Sequence, residues 1–173
     1  MGGVTPPRQI AAGDDRSAFD CGRESLNAWF RRHALANHTA GMSRVSVICD
    51  GSAGTVVGYA ALSAASIRRE AVTSRDRRNS PDPIPVILLG QLAVDRRWQG
   101  QGHARSLLTF ALRTALAASR SIGSFGVITH PVDDTARSFY QRWGFDALPG
   151  AEGTMIVRMK DLEASGFMQH ARS

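Results

Sequence analysis

A nearly unbroken apolar run that leads into a glycine-containing turn and then a helix constrains this chain more than any other feature. Residues 85 to 94 read PVILLGQLAV, the pattern of a central strand that is buried on both faces of a sheet. Residues 96 to 102 (RRWQGQG) predict a polar turn, and residues 104 to 119 carry apolar side chains at helical spacing. The chain is therefore expected to contain a strand–turn–helix unit at its centre.

The two glycines of this turn indicate what it can bind. Gly100 and Gly102 let the backbone approach a ligand closely, and the first N–H groups of the following helix have no acceptor within the helix. Such a turn favours phosphate, because the amides and the helix dipole both attract negative charge. A glycine-rich turn without any ligand is the alternative. A Walker loop is excluded because its GxxxxGK[ST] pattern is absent, and a Rossmann fingerprint is excluded because its third glycine and following acidic residue are missing.

The remaining elements predict an α/β domain with a mixed sheet. An amphipathic helix over residues 23 to 37 precedes a β-hairpin whose strands span 44 to 49 and 55 to 62. A basic connection follows over residues 67 to 85, and a further strand is predicted over 124 to 129. A short helix is expected between Asp133, its N-cap, and Gly144 at its end. Of the last two short strands, one begins at 145 and the other spans 154 to 159. We expect one domain over residues 1 to 160 and a loosely held tail over 161 to 173.

Composition limits the partners and the compartment. The net charge of +6 favours polyanionic partners, although a basic surface that binds nothing is the alternative. Neither a membrane span nor a secretory signal is evident, so a cytoplasmic location is expected. The two cysteines, Cys21 and Cys49, are interpreted as reduced thiols, and the five histidines form no metal-binding cluster, so no metal is expected.

Two motifs resemble those of the GNAT N-acetyltransferases. Arg97-x-x-Gly100-x-Gly102 is similar to the R/Q-x-x-G-x-G/A signature whose amides hold the pyrophosphate of acetyl-CoA, and residues 136 to 145 (ARSFYQRWGF) are similar to the A-x-x-F-Y-x-x-x-G-F helix. The resemblance implies the GNAT fold: a mostly antiparallel central sheet, flanked by helices and splayed between its fourth and fifth strands, with acetyl-CoA as cosubstrate. The implied cofactor-binding residues are Leu92, Ala93, Val94, Arg97, Gln99, Gly100, Gln101, Gly102, His103 and Ala104.

Within this resemblance, Tyr140 is the candidate catalytic residue. Direct attack on the thioester leaves a CoA thiolate, and a phenol O–H can donate a proton to it. A tyrosine that packs with its hydroxyl at the surface is the alternative. No general base is evident, which suits an α-amine with a pKa of about 7.7–8.0 better than a lysine with a pKa of about 10.4, because more of the α-amine is neutral at pH 7.

A finer resemblance is to the tRNA-acetylating toxins of bacterial type II toxin–antitoxin modules. It rests on the order of three segments, FDCGRESLNAWF, RRNSPDPIPVILLGQLAVD and RSFYQRWGF. It implies aminoacyl-tRNA as substrate, a ribbon-helix-helix antitoxin, a homodimer, and repression at operator DNA only through the antitoxin complex. Some of these toxins carry a basic residue at the position of Gln91, so the resemblance does not fix which residues contact the RNA. The candidate phosphate contacts are Arg8, Arg31, Arg32, Arg68, Arg69, Arg75, Arg77 and Arg78; the cluster over residues 68 to 78 is the stronger candidate as a group, and a solvated surface is the alternative for each.

Two rival functions share most of these features. The first is a GNAT enzyme that acts on a small amine or a protein N-terminus, which would need everything except the basic connection. The second is a catalytically idle acyl-CoA-binding or DNA-associated regulatory subunit. The presence of Tyr140 and of the intact turn argues against the second, and no helix-turn-helix or RNA-recognition motif supports it.

Overall fold

The computed structural model describes residues 3 to 166. The helices are α1 (Glu24–Thr39), α2 (Ser74–Arg77), α3 (His103–Ser121), α4 (Asp134–Arg142) and α5 (Met159–Ala164). The strands are β1 (Arg8–Gln9), β2 (Arg44–Cys49), β3 (Val56–Ile67), β4 (Ile84–Val94), β5 (Gly126–Thr129), β6 (Asp146–Ala147) and β7 (Met155–Arg158). They form one seven-stranded sheet in the order β1-β2-β3-β4-β5-β7-β6. The β4–β5 pair is parallel, whereas β1–β2, β2–β3, β5–β7 and β6–β7 are antiparallel, so the predicted mixed sheet is confirmed.

The chain divides into two compact units, each made from two stretches. The first unit comprises the residues up to Ser63 together with Gly90–Ala111, and the second comprises Ala64–Leu89 together with the residues from Leu112 onward. Aromatic rings dominate the core of the first, where the Tyr59 ring stacks on Phe30 at a centroid distance of 4.2 Å. Aliphatic side chains form the core of the second. That residues 1 to 160 form a single domain therefore stays a prediction.

The elements nearest the N-terminus match the sequence pattern closely. Helix α1 buries Asn27, Phe30 and Ala34, which lie three and four residues apart on one face. The β2–β3 hairpin is antiparallel, with β3 continuing to Ile67 instead of ending at 62. The short edge strand β1 was not predicted, because a two-residue strand carries no pattern of its own and exists only through its pairing with β2.

Strand β4 differs from its prediction in burial. It lies between β3 and β5 as expected of a central strand, but the expectation of burial on both faces is wrong. Pro85 and Gly90 are exposed, and four further residues are only half-buried: Ile87, Leu88, Gln91 and Leu92. The parallel pairing with β5 covers only Ile87 to Leu89, since β5 is four residues long and ends at Thr129. The splay of the fourth strand from the fifth stays a prediction.

The elements nearest the C-terminus carry the predicted caps of α4 and include one helix, α5, that was not predicted. The Asp133 side chain accepts a hydrogen bond from the backbone N–H of Ala136 at 2.8 Å, and Gly144 follows α4 with a φ of 89°. The predicted tail requires a correction, because residue 161 lies within α5 and Leu162 is buried. Residues 167 to 173 of that tail lie outside the described residues. Of the helices between residues 3 and 166, none is both long and apolar enough to cross a bilayer.

Candidate active site

The turn between β4 and α3 has the geometry of an anion-binding backbone. Gly100 and Gly102 have φ values of 78° and 86°, in the left-handed region that a side chain disfavours. A Cβ built on either glycine meets no atom of the described residues within 4 Å, so the space beside both is open. Helix α3 begins directly afterwards at His103, and its first N–H groups have no acceptors within the helix. The turn can therefore receive a phosphate against its backbone.

Asp95 fixes the start of this turn and holds the signature arginine. Its Oδ1 accepts hydrogen bonds from the backbone N and the Nε of Arg97, both at 3.0 Å, and its Oδ2 accepts one from Nη2 at 3.2 Å. Burial alone would raise the pKa of Asp95, but the hydrogen bonds outweigh burial and hold the pKa below its usual value. The sequence analysis missed Asp95, although a carboxylate that directly follows a strand and precedes a turn is a recognisable capping signal.

A second set of hydrogen bonds ties the turn to the segment that precedes α1. The backbone N of Asp20 donates to Asp95 Oδ2 at 3.1 Å, and the backbone N of Arg96 donates to the carbonyl of Asp20 at 2.9 Å. Gln99 Nε2 donates to the carbonyls of Val94 and Cys21, at 2.9 Å and 3.2 Å. The Gln99 side chain therefore stabilises the turn through its amide nitrogen.

The other predicted cofactor-binding residues differ in exposure. Ala93 and Val94 at the end of β4 are buried and Leu92 is half-buried, whereas Gln101 is exposed and His103 and Ala104 are half-buried at the start of α3. The strand end is closely packed, because a Cβ built on Gly58 would lie 3.1 Å from the Ala93 carbonyl oxygen. Leu92, Ala93, Val94, Arg97, Gln99, Gly100, Gln101, Gly102, His103 and Ala104 all belong to the first unit.

Tyr140 lies in α4 in the second unit and is 6% exposed. The rings of Phe139 and Phe145 pack edge-on against its ring, at centroid distances of 5.4 Å and 5.2 Å. Burial raises the pKa of Tyr140 to about 12, while a hydrogen bond with Thr129 acts in the opposite direction. Thr129 is itself buried, and its hydroxyl donates to the carbonyl of Leu89 at 3.0 Å. Tyr140 therefore keeps its proton at neutral pH and can act as a donor, and Thr129 is a neighbour that sequence reasoning did not find.

The basic connection lies in the second unit, and its arginines are not equivalent. Arg68, Arg75, Arg77 and Arg78 are exposed, whereas Arg69 is half-buried. Arg69 Nε donates to the carbonyl of Arg77 at 3.3 Å, and Arg77 Nη2 donates to the carbonyls of Glu70 and Val72 at 3.4 Å. Arg69 and Arg77 therefore also stabilise the local backbone.

The cysteines offer no route for covalent catalysis. Both are free, and burial raises the pKa of the Cys21 thiol and of the Cys49 thiol, so neither is activated as a thiolate. A search of the described residues finds no group of three or more His, Cys, Asp or Glu side chains that could hold a metal ion. Tyr140 can donate a proton, and the turn can bind an anion.

Comparison with known families decides the class. The model of the acetyltransferase (GNAT) domain matches residues 42–147, a range that includes the turn, α3 and α4. The chain belongs to the GNAT acetyltransferase family. The predicted family and fold are therefore confirmed, and the matched range includes the turn and Tyr140.

Individual GNAT relatives are similar over almost the whole chain. A tRNA-acetylating toxin of Mycobacterium tuberculosis (strain ATCC 25618 / H37Rv) is 42% identical over 164 residues, covering 95% of this chain and 98% of the relative. The structure of AtaT complexed with acetyl-methionyl-tRNAfMet has a TM-score of 0.87 and 29% identity, covering 94% of this chain and 99% of that one. A tyrosine-to-phenylalanine mutant of AtaT, bound to the C-terminus of the antitoxin AtaR and acetyl-CoA, has a TM-score of 0.80 and 28% identity, covering 94% and 97%.

Proposed function

We propose that this protein is a toxin N-acetyltransferase that transfers acetyl from acetyl-CoA to the α-amino group of aminoacyl-tRNA and so blocks translation. The observation that carries the proposal is the 42% identity, over 95% of the chain, to a tRNA-acetylating toxin. The similarity to AtaT in complex with acetyl-methionyl-tRNAfMet supports the same substrate class. The net charge of +6 agrees with a polyanionic substrate.

Acetyl-CoA is the proposed cosubstrate, and the turn supplies its phosphate site. The N–H groups around Gly100 and Gly102 bind the pyrophosphate, helped by the positive end of the α3 dipole. The backbone N–H groups of Leu92 to Val94 polarise the thioester carbonyl, which stabilises the negative charge that develops on its oxygen. The open space beside both glycines supports this assignment, because a phosphate needs close access to the backbone.

Tyr140 is the proposed acid of the transfer step. The neutral α-amine attacks the thioester carbon, a C–N bond forms, the C–S bond breaks, and the electron pair of that bond passes to sulfur. Tyr140 gives its phenolic proton to the sulfur and regains a proton that the acetylated nitrogen releases, so amide and free thiol are the products. The raised pKa supports this role, because it keeps the phenol protonated between turnovers.

The pH dependence of the rate follows from these assignments. We expect kcat to rise from about pH 6 to about pH 8 as the α-amine loses its proton, and then to stay level up to about pH 9. Because burial raises the pKa of Tyr140 to about 12, the acid form persists through this whole range. Initial rates on purified aminoacyl-tRNA in buffers of constant ionic strength provide the measurement. A fall in kcat between about pH 8 and pH 9 would contradict an acid with so high a pKa.

The basic connection is the proposed tRNA surface, formed by Arg68, Arg69, Arg75, Arg77 and Arg78. Replacing Arg77 and Arg78 together by glutamine is expected to weaken tRNA binding. The slope of log K for tRNA binding against log salt concentration is expected to become about one to two units less negative. Acetyl-CoA affinity is expected to stay unchanged. Filter binding at several salt concentrations measures the slope.

A matched pair of substitutions controls for the loss of two positive charges. Arg120 and Lys160 are exposed in the same unit, so replacing both by glutamine changes the net charge equally. The melting temperature is needed as a second control, because Arg77 also donates to two backbone carbonyls. Equal losses of tRNA affinity in both double variants would assign the effect to net charge and not to this surface.

The proposed partners follow from the same relatives. AtaT binds the C-terminus of its antitoxin AtaR, and a KacTA–DNA complex is among the similar solved structures. We extend this to a ribbon-helix-helix antitoxin with an acidic tail, a homodimer of this chain, and operator DNA contacted only through the antitoxin complex. A cytoplasmic location follows from an aminoacyl-tRNA substrate.

One assay tests the function against both rivals. The protein is incubated with labelled acetyl-CoA and either total aminoacyl-tRNA, a panel of small amines, or peptides with free N-termini. Label in the aminoacyl group of tRNA, together with growth arrest on expression without antitoxin, is the expected result. Label only in small amines or peptides would identify an ordinary GNAT enzyme, and no transfer to any acceptor would identify a regulatory subunit.

A further inference from the structure

The guanidinium of Arg97 is only partly used by its hydrogen bonds to Asp95. A guanidinium carries five N–H bonds in a planar fork, and Asp95 accepts from Nε and from Nη2. One Nη1 hydrogen and the second Nη2 hydrogen form another edge of the fork, and the remaining Nη1 hydrogen points toward the Cδ side. The Arg97 side chain is 63% exposed, whereas that of Asp95 is 2% exposed. The pair thus presents a fixed fork of donors on its solvent side.

We propose that Asp95 is a positioning residue for cosubstrate binding: it holds the Arg97 fork so that the unused donors bind the pyrophosphate of acetyl-CoA. The inference rests on the proposed function of the turn and extends it to a residue outside the family signature. Asp95 and a phosphate do not compete for Arg97, because they bind different edges of one planar group.

Asp95 can hold this orientation because it is itself fixed. Its Oδ2 accepts from the backbone N of Asp20 at 3.1 Å, and its Oδ1 accepts from the backbone N of Arg97 at 3.0 Å. A buried carboxylate with two backbone donors cannot follow the side chain of Arg97 into solvent. A lysine at position 97 could keep the charge but could not bind Asp95 and a phosphate through two edges of one rigid plane.

If Asp95 acted only through its charge, its removal would strengthen the binding of acetyl-CoA. Asp95→Asn adds one unit of positive charge beside the turn, and an extra positive charge strengthens the attraction for a phosphate. Positioning predicts weaker binding, because the freed guanidinium loses its fixed orientation. The sign of the change in affinity therefore separates an electrostatic role from a positioning role.

The test is a double-mutant cycle of Asp95→Asn and Arg97→Gln, with acetyl-CoA affinity measured by calorimetry. We expect each single variant to bind acetyl-CoA about tenfold more weakly, and the double variant to be no weaker than Arg97→Gln alone. If Asp95→Asn weakened binding by the same factor in the unmutated protein and in Arg97→Gln, its role would be structural and the proposal would be overturned. Unchanged or tighter binding by Asp95→Asn would also overturn it. Absence of acetyl-CoA binding by the unmutated protein would instead reject the proposed function.

Two further measurements keep the test decisive if Asp95→Asn is unstable. Arg97→Lys changes only an exposed side chain and is expected to lose about as much affinity as Arg97→Gln; wild-type affinity in this variant would overturn the role of the fork. The loss of kcat/KM in Arg97→Lys and Arg97→Gln, relative to the unmutated protein, is expected to be smaller for S-acetylpantetheine, which lacks the pyrophosphate, than for acetyl-CoA. An equal loss with this truncated substrate would mean that residue 97 acts elsewhere than on the phosphates.

Discussion

Replacing Tyr140 by phenylalanine is expected to lower the rate of acetyl transfer by about a hundredfold or more, while acetyl-CoA affinity and the melting temperature are expected to stay at wild-type values. The substitution removes one hydroxyl and keeps the ring together with its edge contacts to Phe139 and Phe145. In the proposed mechanism the departing thiolate would then lose its proton donor, so the defect would lie in the chemical step. Single-turnover rates on aminoacyl-tRNA, calorimetry with acetyl-CoA and thermal melts measure the three quantities.

Tyr59→Phe is the matched control, because Tyr59 and Tyr140 are the two tyrosines of the sequence. The Tyr59 hydroxyl is buried and donates to the carbonyl of Leu26 at 2.9 Å. Its removal is expected to lower stability by about 1 kcal/mol and to leave the rate unchanged. A wild-type rate in Tyr140→Phe would show that another group, such as a water chain, supplies the proton. Similar rate losses in both variants would indicate a general effect on the fold.

The second large effect is expected at the turn. Gly102→Glu should abolish detectable binding of acetyl-CoA, because a side chain and a negative charge would enter the proposed pyrophosphate site. The positive φ of 86° also makes any side chain unfavourable at this position. Calorimetric titration with acetyl-CoA provides the measurement.

A second glycine separates loss of the phosphate site from backbone strain. Gly41 has a φ of 76°, and a Cβ built on it likewise meets no described atom within 4 Å, so Gly41→Glu introduces the same kind of strain and the same charge away from the turn. Gly41→Glu is expected to keep wild-type affinity for acetyl-CoA. If Gly102→Glu bound acetyl-CoA as tightly as the unmutated protein, the cosubstrate would lie elsewhere.

The features that the sequence predicted well are those with local causes. Asp133 caps α4 through its own side chain, and Gly100, Gly102 and Gly144 take positive φ values because the backbone requires them there. The hairpin and α1 follow from apolar spacing, which reports which face is buried. The family motifs consist of the same local signals, so the GNAT prediction could be made from single segments and is confirmed by the domain match.

The features that the sequence did not predict depend on distant partners. Strand β1 exists only through its pairing with β2, and the burial of each β4 side chain depends on what packs against the two faces of the sheet. The role of Asp95 depends on its burial and on the backbone of Asp20, which is distant in sequence. A periodic pattern reports which residues are apolar, but not how far each neighbouring element extends.

The hydrogen bonds between the turn and the segment before α1 have a consequence for the order of events in catalysis. The carbonyls of Asp20 and Cys21 accept hydrogen bonds from Arg96 and Gln99, so the peptide that leads into α1 is hydrogen-bonded to the proposed cosubstrate-binding turn. A ligand that restrains the turn also slows the opening of this peptide and protects its amides from exchange with solvent. The kinetic mechanism is therefore expected to be ordered, with acetyl-CoA binding first and the acceptor meeting an N-terminal helix that is already restrained.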